Sequence, residues 1–292
     1  MHESILAYRG RRYLWVAVAV TLLAILAYWL DDPEGPANGG TVLGYTLGTI
    51  GLALVLWLAW FGVRKRRYGS TAGTVQGWLS AHVYLGVALV AVVLLHSGFQ
   101  AGYNVHTAAL VLTLLVVASG LYGVYVYLRY PRRLSENRGD AGQDDFYEQL
   151  ADIDNRSRRV AEELGDEYEE FVSSGIARTQ LGSTLWLRLR KRDESQIVLS
   201  DGAASKVVPN PGQEAALDWL ADRQARESDR DVAAAIGELS ALLRNKRRLL
   251  RQIREEQGIR ATLELWLYVH VPLTAGLLMA LFAHVLTVFL YW

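Results

Sequence analysis

The sequence predicts an all-α membrane protein of five transmembrane helices, with a small α+β cytoplasmic insert between the fourth and the fifth. Three observations carry this. Five stretches, roughly 13–30, 43–63, 77–97, 106–128 and 263–291, are apolar over about the 20 residues that a bilayer crossing needs. The charge is segregated: 30 basic and 30 acidic residues cancel over the 292-residue chain, yet 23 of the basic and 25 of the acidic ones lie between 129 and 261. The chain also has no cysteine. This excludes disulfides, thiolate zinc sites, iron–sulfur clusters and thioether-attached c-type haem, so any metal must be held by other side chains.

The first span follows Arg9, Arg11 and Arg12 and ends in Ala27-Tyr28-Trp29-Leu30-Asp31-Asp32. It is too long for a signal-peptide core and lacks a small-residue cleavage site, so it reads as a retained signal anchor. Orientation follows from the basic residues. Arg64, Lys65, Arg66 and Arg67 separate spans two and three. Arg129, Arg132 and Arg133 follow span four, and Arg244, Lys246, Arg247, Arg248, Arg251, Arg254 and Arg260 precede span five. The loop between spans one and two carries only Asp31, Asp32 and Glu34, and the loop between spans three and four carries no charge. All basic clusters share one side if the N-terminus and the insert are cytoplasmic. The expected location is the inner (plasma) membrane, multi-pass, with Tyr291-Trp292 at the C-terminus outside. Trp29, Trp57, Trp60, Trp78 and Trp266 fall near span ends, as in an interfacial belt. Spans three and five are then parallel. The expected divisions are spans one to four in 1–130, the insert in 131–261 and the fifth span in 262–292.

Within the insert, Pro131 is expected to end the fourth helix, and 134–142 reads as a linker. Phe146, Leu150, Ile153, Val160 and Leu164 give a helical period over 143–172. Alternation in Leu185–Arg190 and the run Gln196–Leu199 predict a β-hairpin. Asn210, Pro211 and Gln213 predict a capped helix start. Ser228 and Asp231 suggest a cap before a helix over about 229–258. Its seam Val232, Ile236, Leu239, Leu243, Lys246, Leu250 and Ile253 would pack on helix 143–172. No dinucleotide or nucleoside-triphosphate fingerprint is present. The insert reads as a docking module, and the basic run 244–260 as a topology signal and a contact for lipid headgroups rather than nucleic acid.

Chemistry concentrates in four of the six histidines. His82 and His96 lie in span three, and His270 and His284 in span five, fourteen positions apart in each case. Fourteen helical steps fall about 40° short of four turns and rise about 21 Å, so both histidines of a span face one way at different depths. In parallel spans, His82 comes level with His270 near the inner side and His96 with His284 near the outer side. Two facing pairs of neutral imidazoles are the arrangement that a bis-histidine haem iron needs. An intramembrane histidine is costly and marks a functional site by default. Four helix-packing histidines are the alternative reading, and the repeated spacing argues against accident. A di-metal site would need carboxylates beside them, and the two spans offer only Glu264, at another depth.

Gly44, Gly48, Gly51, Gly86, Gly120, Gly123 and Gly276 allow close approach to a macrocycle or ordinary helix packing. Arg64–Arg67 and Arg129–Arg133 are available to haem propionates. Glu264 reads as an interfacial partner of Arg260, with proton uptake at a quinone site as the other reading. His106 reads as a loop histidine, or as a donor to a propionate or quinol. Tyr84, Tyr103, Tyr122 and Tyr125 are further candidate donors.

On these four histidines the chain resembles the dihaem membrane cytochromes b, both the bc-complex type and the transmembrane domain of the ferric reductase and NADPH oxidase family. The resemblance implies that spans two to five form a four-helix haem-binding bundle. It implies two b-type haems, His82 and His270 holding the inner iron and His96 and His284 the outer one, with a quinone as a further candidate cofactor. The chain lacks a Pro-Glu-Trp-Tyr motif and a flavin or nicotinamide domain, and its insert belongs to neither pattern. The expected function is that of a dihaem b-type cytochrome subunit, more an electron-transfer part of an oxidoreductase complex than a self-contained enzyme. It would carry electrons across the membrane between a quinone pool or cytoplasmic donor and a partner redox protein. Expected partners are membrane lipid and subunits carrying iron–sulfur, flavin or c-type haem centres, with no nucleic acid. The alternatives are a scaffold or signalling protein that assembles through the insert, and a quinol-linked reductase of a small acceptor.

Overall fold

The computed structural model describes residues 4–33, 35–66, 73–138, 143–182, 184–201 and 204–290, with no side chain discussed for 130–144 or 201–204. Arg67, Glu34, His2 and Tyr291-Trp292 lie outside the described residues, as do the side chains of Arg132 and Arg133. The chain divides into two compact units, one of residues 1–126 and 266–292 and the other of residues 127–265.

The first unit consists of α1 (Tyr8–Leu30), α2 (Val42–Arg66), α3 (Val75–His96), α4 (Val105–Arg138) as far as Val126, and α9 (Arg230–Leu290) from Trp266 onward. All five helices are long and apolar enough to cross a membrane. Local chemistry sets their starts. Thr41 Oγ1 accepts from Gly44 N at 3.0 Å, Thr74 Oγ1 from Gly77 N at 3.1 Å, and Asn104 Oδ1 from Thr107 N at 2.9 Å. Each bond satisfies an amide that the first helical turn leaves without a partner. Near the start of α1, Arg9, Gly10 and Arg11 take positive φ, and Tyr8 is buried where Thr74 Oγ1 donates to its hydroxyl at 3.0 Å.

Two apolar layers hold this unit together. Ala24 of α1, Leu47 of α2 and Val92 and Leu95 of α3 form one. Val55 and Leu58 of α2, Leu89 of α3 and Leu277 of α9 form the other, with Leu112 and Val116 of α4 packed against it. Many large apolar side chains remain uncovered by protein, among them Trp15, Leu23, Trp29, Met279, Phe282 and Phe289. Apolar surface of that extent needs an apolar medium, and helices this long and apolar find it in a bilayer.

The second unit holds α5 (Gln143–Leu164), α6 (Asp166–Ala177), α7 (Leu185–Arg190), β1 (Gln196–Asp201), β2 (Ala204–Pro209), α8 (Glu214–Arg226) and α9 as far as Leu265. Its main core joins Val160, Phe171, Ile197, Leu220, Ile236, Leu239 and Leu243. A second cluster joins Phe146 and Leu150 of α5 to Leu249, Leu250 and Ile253 of α9. The expected seam of α9 is therefore the buried face, and it packs on α5. Its one lysine, Lys246, is buried, with Nζ 2.7 Å from Asp154 Oδ1.

Several local expectations are corrected. The helix over 143–172 is two helices, broken at Gly165, whose φ of 105° is open to glycine and strained for other residues. Leu185–Arg190 is a short helix, not the first hairpin strand. Thr184 Oγ1 caps it by accepting from Leu187 N, and Lys191 ends it at φ 51°. The hairpin instead pairs β1 with β2 antiparallel, with Val198 opposite Val207. Pro211 opens a 3-10 turn, Pro211–Gln213, before α8, and the buried Asn210 Oδ1 accepts from Ala216 N at 3.2 Å. The cap of α9 is Asp229, whose Oδ1 accepts from Asp231 N at 2.8 Å, rather than Ser228. Pro131 does not end α4, which continues to Arg138. A proline costs a helix one amide donor and some bending, which a long helix survives. The expected linker is thus helical to 138, and 139–142 lie outside the described residues.

Candidate functional site

The four histidines of α3 and α9 are half-buried in the first unit and lie at two levels. At one level, His96 and His284 face each other with ring centroids 6.1 Å apart and planes at 90°. At the other lie His82, packed by Phe61, and His270, packed by Trp266. The layer of Val55, Leu58, Leu89 and Leu277 involves the stretches of α3 and α9 between the two levels.

Each ring has its Nδ1 engaged. His96 Nδ1 lies 2.7 Å from the Gly44 carbonyl oxygen, and His82 Nδ1 lies 3.2 Å from that of Leu58. A carbonyl only accepts, so both Nδ1 atoms carry the proton and both Nε2 atoms present a lone pair. His270 Nδ1 lies 2.7 Å from Ser119 Oγ, a hydroxyl that also stands 2.8 Å from Val116 O and can donate or accept. The fourth ring, His284, has its Nδ1 2.5 Å from Nδ1 of His106. His106, expected as a solvated loop residue, stands in the first turn of α4 as part of this level.

The surroundings are shaped to the rings. A Cβ on Gly48 would lie 2.7 Å from His96 Cε1, so only glycine leaves room there. Gly120 faces His270 Cε1 in the same manner at an ordinary contact distance. Trp266 stacks on His270 with centroids 5.3 Å apart, donates Nε1–H to Ser119 O at 2.8 Å, and lies against Gly123. This tryptophan, expected in an interfacial belt, is a site residue. Phe61 packs on His82 at 5.2 Å. Gly86 and Gly276 border open space, with nothing within 4 Å of where a side chain would begin.

Other candidates lie elsewhere. Glu264 pairs with Arg188 at 3.2 Å, while Arg260 pairs with Glu256 at 3.0 Å, so the expected Arg260–Glu264 pair is corrected. Tyr84 donates to Leu6 O at 2.8 Å. Arg64 is buried and donates to Gly73 O at 2.7 Å. In the basic run, Lys246, Arg247, Arg254 and Arg260 pair with acids of their own unit. Burial holds the Arg254 guanidinium below its usual range, opposed by Asp193 at 2.8 Å.

The donor set fits a group that takes two neutral imidazoles on one metal. Two metal–nitrogen bonds of about 2 Å each, plus the reach from nitrogen to ring centre, come to roughly 6 Å, the span between His96 and His284. A ligating histidine ordinarily donates its other N–H to a carbonyl or a similar acceptor, as His82 and His96 do. Among the described residues no three His, Asp or Glu side chains converge as a self-contained metal site. No protein-family model, no curated protein and no solved structure matches the chain.

Proposed function

We propose that the chain is a dihaem b-type cytochrome subunit that carries electrons across a membrane, between a quinone pool or cytoplasmic donor and a partner redox protein. The observation that carries this reading is the setting of the rings at two levels of one apolar unit. His82 and His96 each hold a proton on Nδ1 against a main-chain carbonyl, His270 Nδ1 is held by Ser119 Oγ, and His284 faces His96.

In this reading, His82 and His270 hold one iron and His96 and His284 the other. Bound haem supplies one-electron chemistry. The chain supplies the rest. The Gly44 and Leu58 carbonyls fix ring orientation and tautomer, and Ser119 orients His270. Leu58, Leu89 and Leu277 exclude water between the levels. The basic residues Arg64, Lys65 and Arg66, in the last turn of α2, support a cytoplasmic position for that end, shared with the N-terminus and the insert. With no cysteine, any iron–sulfur or c-type haem step falls to partner subunits.

The test is a reduced-minus-oxidised absorption spectrum with a pyridine haem assay on the purified full chain. A b-type α-band with two haems per chain is expected. Absence of both signals overturns the proposal. His82→Ala is expected to lose one haem and keep the other, and retention of both refutes the pairing.

A further inference from the structure

The second unit has one element whose side chains join neither of its cores. It is α7, with sequence Leu185-Trp186-Leu187-Arg188-Leu189-Arg190, and it buries none of its residues. Four of the six are large and apolar, and Trp186 is 66% exposed. The other two are arginines, and Lys191 and Arg192 follow directly. Arg190 lies over the Trp186 ring at 6.0 Å. Apolar bodies with cationic tips suit the boundary between hydrocarbon and headgroups, where aromatic and basic side chains each keep one end in its preferred medium.

The position of α7 is fixed independently of its composition. Arg188 Nη2 pairs with Glu264 Oε2 at 3.2 Å, and Lys191 Nζ pairs with Glu255. Between those acids α9 carries Gly258, where a Cβ would meet Lys191 Cε at 2.8 Å and the Arg188 carbonyl oxygen at 3.2 Å. The glycine lets the end of α7 lie directly on α9. Glu264 is the last charged residue of the chain, and the apolar run that follows reaches Leu290. Glu264, to which α7 is tethered, directly precedes that run in the sequence. Of the basic residues of α9, Lys246, Arg247, Arg254 and Arg260 pair within the unit.

We infer that α7 is a membrane-surface anchor, with the exposed Trp186 in the lipid interface and Arg190 and Arg192 on anionic lipid phosphates. The occupant of this face is the bilayer in which α9 is embedded. Charge complementarity supports an anionic headgroup, worth about one small increment of affinity per basic residue near the surface.

The absence of native cysteine allows a clean test in the full chain. Trp186→Cys, Val207→Cys and Met279→Cys are each labelled with a nitroxide and reconstituted into bilayers of phosphatidylcholine with phosphatidylglycerol. Val207 is exposed on β2, and Met279 is exposed in the apolar part of α9. Collision with oxygen reports lipid, and collision with a water-soluble nickel chelate reports solvent. The label at 186 is expected to favour oxygen, as at 279, while 207 favours nickel. Arg190→Gln with Arg192→Gln is expected to lower the oxygen preference at 186 in the anionic bilayer towards that in phosphatidylcholine alone. A label at 186 that behaves as at 207 overturns the inference, and so does one shielded from both reagents, which would mean a protein covers this face. A nickel preference at 279 as well would overturn the membrane reading itself, whereas the haem assay above is indifferent to all three labels.

Discussion

His96 Nδ1 stands 2.7 Å from the carbonyl oxygen of Gly44, a bond from α3 to the first turn of α2. One turn further along α2, Gly48 presents no side chain to the same ring. One stretch of α2 thus both orients this imidazole and makes room for it. Gly48→Ala puts a methyl group 2.7 Å from Cε1. Overpacking of this kind costs about 1–3 kcal/mol, and the ring is the movable party. The expected result is loss or displacement of one b-type spectral component with the other intact, read from potentiometric titration of the α-band. Equal perturbation of both components would break the assignment of His96 to a single level.

Ser119 Oγ lies 2.7 Å from His270 Nδ1 and orients the ring. Ser119→Ala leaves the ring without its hydroxyl partner. Loss of such an outer partner typically weakens metal affinity by about 10–100-fold. Haem release from this level to a competing apoprotein should accelerate accordingly, and Ser119→Thr, which keeps the hydroxyl, should restore the slow rate. Unchanged release in Ser119→Ala would mean that Trp266, stacked on the same ring, is sufficient to hold it.

His106 touches His284 and none of the other three candidate ligands by any bond among the described residues. If the proposed dihaem reading holds, His106→Ala alters the electron paramagnetic resonance signal of a haem held by His96 and His284 and leaves that of a haem held by His82 and His270 in place. A change in both signals, or in the second alone, would remove His106 from this level.

The seam of α9 could be read because a soluble helix declares its buried face by period. Ile236, Leu239, Leu243, Leu250 and Ile253 stand out against charged neighbours. In Leu185–Arg190 alternation over six residues does not separate a strand from a single helical turn, and the cap at Thr184 decides for the helix. In the apolar helices the fourteen-residue spacing singles out His82, His96, His270 and His284, since imidazoles are conspicuous among Leu and Val. Their Nδ1 partners were not legible. Two are main-chain carbonyls, which every residue has, and a contact over 52 positions leaves no mark in the sequence. Ser119 is the exception that the sequence offers, as the one serine of the fourth span, beside Gly120. Trp266 and His106 were visible but assigned to the interface and a loop, because nothing local says which way a ring at a helix end turns.

Tyr168 gives the second unit an alkaline dependence. Burial raises its pKa above the usual 10.0, opposed by Arg223 and reinforced by Glu167 and Glu227. A group whose pKa is higher in the folded state binds more protons there, so stability falls as pH rises through and above the unfolded value of about 10. Tyr168→Phe should flatten this part of the alkaline limb, measured as resistance of the insert to proteolysis against pH in the full chain. An unchanged limb would place the dependence elsewhere.

The buried pair Lys246–Asp154 makes the sharpest stability prediction for the same unit. Lys246 is 2% exposed and its Nζ lies 2.7 Å from Asp154 Oδ1, in the seam between Leu243 and Leu250. Removing one member of such a pair strands the other charge in an apolar setting, at about 3–5 kcal/mol, whereas replacing both by apolar groups of similar volume is often neutral. Lys246→Met alone should lower the urea midpoint of the insert sharply, and so should Asp154→Leu alone. The double variant should recover most of the loss, because no charge is left without a partner. If the double variant is as unstable as the sum of the singles, then the two residues do not act as a pair, and Lys246 is held in the seam by packing of its methylene stem alone.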